Sequence, residues 1–352
     1  MQLRRSTADP DGPGRLCCGR TGGMRDAERG STALCIALLP HRRRTARRRR
    51  CVRLVRGGRS RLNDRMAGTH HKHGITDARA HLRAHSDLVL PSVDPRSTPG
   101  YDGDKESGAA DLIEGLAELA DFQERLFAAG QKGAHDSVLL VLQAMDSAGK
   151  GGVVRHVMGG VDPQGVELAA FKSPTEDELA HDFLWRVEKR VPKPGFIGVF
   201  DRSHYEDVLI GRVRELAEPD EIERRYGAIV DFERRLVAQG TRVVKVMLHM
   251  SYQEQGERLM ERLERPDKHW KFNSGDVDER ALWPAYQYAY QEAIQRTSTD
   301  DAPWFVVPAD RKWYARLAVQ ALLLETFEDI DPQWPSAEFD VAEQIARLRA
   351  TM

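Results

Sequence analysis

From residue 106 to 129 the apolar positions Leu112, Ile113, Leu116, Leu119, Phe122, Leu126 and Phe127 recur three or four apart, which predicts an amphipathic helix stopped at Gly130. Beyond it the pattern changes. Short apolar runs of strand length occupy 137–143 (SVLLVLQ), 166–171, 196–200 (FIGVF), 241–250 (TRVVKVMLHM) and 304–307 (WFVV). Helical stretches fall between and after them, over 149–158, 174–190 with a proline at its start, 220–239 closed by Gly240, and 312–327. Ser251 stands where it would cap one more helix. Such alternation predicts an α/β fold, a parallel sheet with helices on both faces.

Charge divides the chain where periodicity does. The whole sequence of 352 residues has a formal net charge of −1. Residues 1–65 hold eighteen arginines, no lysine and five acids, a net of +13, which leaves −14 on the remainder. All four cysteines, Cys17, Cys18, Cys35 and Cys51, also lie in that basic segment, so the acidic body offers no disulfide and no thiol nucleophile. This fits a cytoplasmic protein. No apolar run approaches the roughly 18–20 residues of a membrane span, and no secretory signal is recognisable.

The segment 1–65 lacks any period. Arginine without lysine is what GC-rich sequence translated upstream of a true start looks like, and Met66 is a plausible initiator. A disordered tail and a polyanion-binding arm are the other readings. Residues 66–105 form an N-terminal arm that opens on His70, His71 and His73, with no second cluster to complete a metal site. The body is expected to span 106–335, with a lid at about 252–298 and a tail over 336–352.

The first strand runs into Ala144-Met145-Asp146-Ser147-Ala148-Gly149-Lys150-Gly151-Gly152 and then a helix. A strand, a glycine-bearing loop and a helix start present backbone N–H groups to an anion, and Lys150 adds a mobile charge. Against the usual phosphate-loop pattern, Ala144 replaces the first glycine and Gly151 the metal-binding hydroxyl residue. Something else must then hold a metal, and Asp146 is the obvious substitute. The third strand runs into Asp201-Arg202-Ser203-His204. An aspartate at the end of such a strand is where phosphate-loop enzymes place a second magnesium contact. Arg202 could neutralise a transferring group, while the plainer reading is a helix cap with a surface arginine. His204 could serve as an acid or base, but phosphate chemistry needs little of either, and a structural or binding role is favoured.

Arg258, Arg262 and Arg265 share one helical face, followed by Lys268, His269, Lys271 and Arg280. Beside a phosphate loop this suits a polyanion. A solvated helix pairing its arginines with Glu257, Glu261 and Glu264 is the alternative. Trp270 and Trp283 could stack on a base or simply pack.

Taken together, AMDSAGKGG at 144–152, KSPTEDELAHDFLWR at 172–186, FDRSHYEDVL at 200–209, RPDKHWKF at 265–272 and TSTDDAPWFVVPADRKWYARLAV at 297–319 closely resemble the polyphosphate kinase 2 family. The resemblance implies a phosphate-loop kinase core, thymidylate-kinase-like, with a helical lid. It implies a magnesium-dependent phosphotransferase acting between inorganic polyphosphate and adenine nucleotides. DRSHYEDVL looks like the form acting on both AMP and ADP. Catalysis falls to Asp146, Lys150, Asp201 and Arg202, and magnesium to Asp146 and Asp201. Phosphate contacts fall to Ala148, Gly149, Lys150, Gly151, Gly152, Arg262, Arg265, Lys268 and Lys271, and the lid contributes Arg262 and Asp276. A homo-oligomer is expected, with no nucleic-acid partner and no membrane. An ATP-dependent small-molecule kinase and a non-catalytic polyanion binder are the competing readings.

Overall fold

The computed structural model describes residues 74–352. The arginine-rich extension 1–65, its cysteines and the histidine cluster at 70–73 lie outside the described residues.

Helix α1 (Ala78–Leu82) precedes the long α2 (Lys105–Gln131), whose start is fixed by Asp104 accepting from the N–H groups of Glu106 and Ser107. Strand β1 (Ser137–Gln143) leads to α3 (Lys150–His156), and β2 (Val166–Ala170) to the short helices α4 (Glu176–Leu179) and α5 (Trp185–Glu188). Strand β3 (Ile197–Asp201) is followed by α6 (Ile210–Val213) and α7 (Pro219–Ala238). Strand β4 (Thr241–His249) enters α8 (Tyr252–Glu264), α9 (Gly275–Ala281) and α10 (Trp283–Thr297), the helical lid. Strand β5 (Trp304–Pro308), α11 (Lys312–Ile330) and α12 (Val341–Arg349) complete the chain.

The five strands form one parallel sheet in the order β2-β3-β1-β4-β5, with β1 at its centre. Successive β1 side chains point to opposite faces: Val138, Leu140 and Leu142 pack under α2 and α11, Leu139 and Val141 under α7 and α10. That is why the run is apolar throughout. Helix α11 buries residues all round, Leu317, Leu322, Leu323 and Phe327 among them, because α2 covers the side the sheet leaves open. Each such side chain contributes about 1.5–3 kcal/mol by leaving water. The tip of α2 docks through glycine: a Cβ on Gly130 would stand 2.5 Å from the Gly195 Cα, so only hydrogen fits there. On the far edge, Arg83 makes an antiparallel bridge to Phe305 and covers β5.

Two expectations need correction. The helix over 174–190 is two, because Thr175 and Glu178 close a capping box while Asp182 accepts from the Leu184 N–H and starts a new turn that buries Phe183 and Leu184. The helix over 149–158 stops at His156 and tightens into a 3₁₀ turn over Met158–Gly160. Helix α12, capped by Asp340, falls within the expected tail at 336–352.

Candidate active site

Parallel pairing sets Leu142 of β1 beside Asp201 of β3, so the segments leaving these two strands emerge side by side. The β1 loop turns through Ser147 at φ 71° and Gly149 at φ 117°. For serine this left-handed backbone is strained, and strain of this kind collects at working sites. Lys150 curls back and donates to the Ala144 carbonyl at 2.9 Å. A Cβ on Gly151 would meet nothing within 4 Å, so this face of the loop is open.

The loop is held from behind by the lid. Arg258 of α8 donates to the carbonyls of Ser147 (3.1 Å) and Ala148 (2.9 Å), and with its other terminal nitrogen to those of Ala309 (2.6 Å) and Asp310 (2.9 Å). Its Nε donates to Glu254 at 2.7 Å. One buried guanidinium thus ties the phosphate loop, the lid and the turn after β5. Asp310 also accepts from the Ser251 N–H and hydroxyl, while Ser251 caps α8 as its position predicts.

At the end of β3, Arg202 sits at φ 63° and donates to Asp146 Oδ1 at 2.7 Å, with Glu206 3.8 Å from its other nitrogen. Burial pushes the Asp146 carboxyl up, but Lys150 and Arg202 outweigh it and hold that group below its ordinary range. Burial pulls the Lys150 ammonium down, offset only in part by Asp146 and Asp201. Burial raises Glu206 despite Arg202 and Lys150. Asp146, Lys150, Asp201, Arg202 and Glu206 therefore share one electrostatic neighbourhood.

Of these, Asp146, Arg202 and Glu206 border a cleft of about 230 Å³ whose other walls include Asn273, Asp276, Glu279, Tyr286 and Tyr290 from the lid, while Lys150 and Asp201 do not line it. Arg262 faces Asp276 at 3.3 Å. The remaining lid cations stand elsewhere: Arg265 pairs with Glu261 and Asp267, Lys268 with Asp267, and Lys271 lies over the Trp270 ring. Trp270 is exposed and bonded to the Asp267 carbonyl, and Trp283 packs edge-on against Tyr252, so neither lines the cleft. His204 is fully buried with Nε2 3.3 Å from Glu233, inside a network where Glu233 accepts from Lys245 at 2.6 Å and from the Tyr205 hydroxyl at 2.8 Å.

Sequence reasoning missed Glu206, Tyr286 and Tyr290. Only Glu206 left a signal, one helical turn beyond Arg202. Arg258, expected with Arg262 and Arg265 in a polyanion-binding cluster or on a solvated helix face, instead serves backbone carbonyls, and nothing local in the sequence marks which arginine of a helix does so.

The family model for Polyphosphate kinase 2 (PPK2) matches residues 102–335. The chain belongs to the polyphosphate kinase 2 family. The AMP/ADP-polyphosphate phosphotransferase of Meiothermus ruber is 46% identical over 249 residues, 71% of this chain and 92% of that one. The ADP-polyphosphate phosphotransferase of Rhodopseudomonas palustris is 41% identical over 246 residues, 66% of this chain and 84% of that one. The crystal structure of Polyphosphate Kinase 2 from Arthrobacter aurescens TC1 superposes with a TM-score of 0.75 at 56% identity, covering 76% of this chain and 95% of that one. The parallel sheet and helical lid are thus those of a polyphosphate kinase 2, and the chain is an enzyme.

The donor set of this polyphosphate kinase 2 fits a magnesium ion. Asp146 is held ionised, Asp201 ends the neighbouring strand, and the Ser147 hydroxyl is a buried oxygen with no partner beside them. Among the described residues no group of three or more His, Cys, Asp or Glu converges as an all-protein metal cage. Magnesium commonly takes one or two carboxylates and completes its shell with phosphate oxygens and water.

Proposed function

We propose that this polyphosphate kinase 2 moves phosphoryl groups reversibly between inorganic polyphosphate and adenine nucleotides, turning AMP into ADP and ADP into ATP. The observation that carries the reading is the meeting of Lys150, Arg202 and Asp146 at the carboxyl edge of a parallel sheet, in a chain of this family.

An oxygen of the nucleotide's last phosphate attacks the terminal phosphorus of the chain. The bridging P–O bond breaks, and the polyphosphate leaves one unit shorter. Little proton transfer is needed, so the protein's task is to position two anions and to meet charge on the equatorial oxygens. Lys150 and Arg202 supply that charge from the loop and the β3 end, and Arg262 supplies it from the lid. Asp146 and Asp201 would hold magnesium, which when bound neutralises phosphate oxygens that otherwise repel. Tyr286 and Tyr290 give the cleft a wall suited to a nucleoside. Selectivity for both AMP and ADP, a cytoplasmic site of action and self-association belong to the same proposal. No described helix is long and apolar enough to cross a membrane.

The test is direct. Purified protein with magnesium and polyphosphate as sole donor should convert ADP to ATP and, separately, AMP to ADP. Nucleotide phosphorylation of neither kind, with ATP-dependent phosphorylation of a small molecule instead, would refute the proposal.

A further inference from the structure

Around the phosphate loop nearly every buried or half-buried guanidinium has its counter-charge. Arg202 meets Asp146 and Glu206, Arg258 meets Glu254 and four carbonyls, and Arg262 meets Asp276. Arg316 of α11 is the exception. It is half-buried, and among the described residues no carboxylate or carbonyl accepts from it. Burial, and after it the charge of another cation, Arg258, hold its pKa down. A guanidinium partly withdrawn from water without an acceptor is costly unless a ligand supplies the anion.

Its position says which anion. A Cβ on Gly152 would lie 3.6 Å from Arg316 Nη2 and 3.8 Å from Nε, so the guanidinium lies over the far end of the loop. The cleft opens on the other side, among residues of the β3 end and α10. Helix α11 packs on the opposite face of the sheet from α10. Gly151, where an added Cβ would meet nothing within 4 Å, leaves the loop open next to Arg316. Past Arg316 the positive field continues, since burial and the charges of Arg316 and Arg155 together depress His156. The lid cations Arg265 and Lys268, by contrast, are already neutralised by Glu261 and Asp267.

We propose that Arg316 binds the polyphosphate donor beyond its reacting end, so that the chain leaves the cleft across Gly151 and Gly152 and runs along the α3–α11 side, away from the exposed lid cations. This rests on the polyphosphate reading above. It concerns substrate binding rather than the reacting atoms.

The experiment compares Arg316→Gln, Arg316→Lys and, as a control, Arg242→Gln, an exposed arginine of β4. ADP phosphorylation is followed while polyphosphate and ADP are varied separately. Loss of one charge-assisted contact should raise KM for polyphosphate about tenfold in Arg316→Gln. KM for ADP, kcat at saturating donor and the melting temperature should be unchanged, and binding should depend less on salt. Arg316→Lys should recover part of the loss, and Arg242→Gln should behave as wild type. An unchanged KM for polyphosphate in Arg316→Gln overturns the assignment. So does a joint rise of both KM values with a lowered melting temperature and no rescue by lysine, which marks a purely structural arginine. If the wild type makes no ATP from polyphosphate, the functional reading fails separately. Direct titration of wild type and Arg316→Gln with long-chain polyphosphate then decides the present point: weaker binding by the variant supports it, equal binding ends it.

Discussion

The Arg202 guanidinium donates to Asp146 at 2.7 Å from a backbone held at φ 63°, so the ends of β3 and β1 are joined through a residue whose backbone is strained. The pair is partly exposed, with 38% and 32% of the two side chains accessible, and so contributes little to stability, about 0–1 kcal/mol. Its value must lie in where it places charge. Asp146→Asn should therefore leave the melting temperature near wild type while lowering kcat about 100–1,000-fold. Arg202→Lys should not rescue activity, because a lysine cannot face Asp146 and Glu206 with one planar fork. Near-normal turnover of Asp146→Asn would remove Asp146 from the machinery.

Glu206 and Asp146 face the same Lys150 and Arg202 yet move in opposite directions. Burial raises Glu206 above its ordinary 4.5, whereas Lys150 and Arg202 keep Asp146 below 3.8 against burial. As pH falls, Glu206 takes up its proton first and loosens its hold on Arg202. The acid limb of the kcat profile should thus begin above pH 4.5, and Glu206→Gln should flatten it. For stability the signs differ. The folded state binds the Glu206 proton more tightly than the unfolded chain, so this group favours folding increasingly as pH drops through its raised value. The Asp146 contribution is present above 3.8 and fades as pH falls through its lowered one. Superimposable acid limbs for wild type and Glu206→Gln would assign the limb to another group.

Local pattern carried most of the architecture. The five apolar runs are the five strands to within a residue or so at either end; four are buried on both faces and so almost wholly apolar, while β2, at the sheet edge, is half-exposed. The loop after β1 and the acid ending β3 were legible for the same reason: strand ends fix where such residues go. Lid contacts were not. Arg262 and Arg265 lie four and seven residues beyond Arg258, which puts them along the same helical face, yet one meets Asp276 across the lid and the other its own neighbours Glu261 and Asp267. Which cation faces the cleft depends on how α8 packs against α9, and periodicity does not encode that. Nor does Lys245, the fifth residue of an apolar strand, announce a buried partner on α7.

That partner is Glu233, and the pair is fully buried. Lys245 Nζ lies 2.6 Å from Glu233, 2.8 Å from the Thr297 carbonyl and 3.1 Å from the Tyr205 hydroxyl, tying β4 to α7 and to the end of the lid. Lys245→Met strands a carboxylate in the interior and should cost about 3–5 kcal/mol in urea denaturation. Adding Glu233→Gln removes the stranded charge, keeps an acceptor for Tyr205, and should recover much of that loss. A cost for Lys245→Met below about 1 kcal/mol would show that the pair does not carry full charges.

Arg258 makes the most demanding prediction, because it reaches four carbonyls on two segments at once. A lysine has three donors on a single atom and cannot bridge Ser147 and Ala148 on one side with Ala309 and Asp310 on the other. Arg258→Lys leaves at least one buried carbonyl pair without a donor, at a cost of about 2–4 kcal/mol. The loss should be local before it is global. Amide hydrogen exchange across residues 147–150 should quicken, kcat should fall because Lys150 loses its fixed loop, and KM for ADP should change least. Glu254→Gln removes only the charge opposite Nε and should be mild in every respect. If Arg258→Lys lowered stability while exchange in the phosphate loop and kcat stayed at wild-type values, the guanidinium would be a brace for the lid alone. The loop would then owe its shape to Ser147 and Gly149.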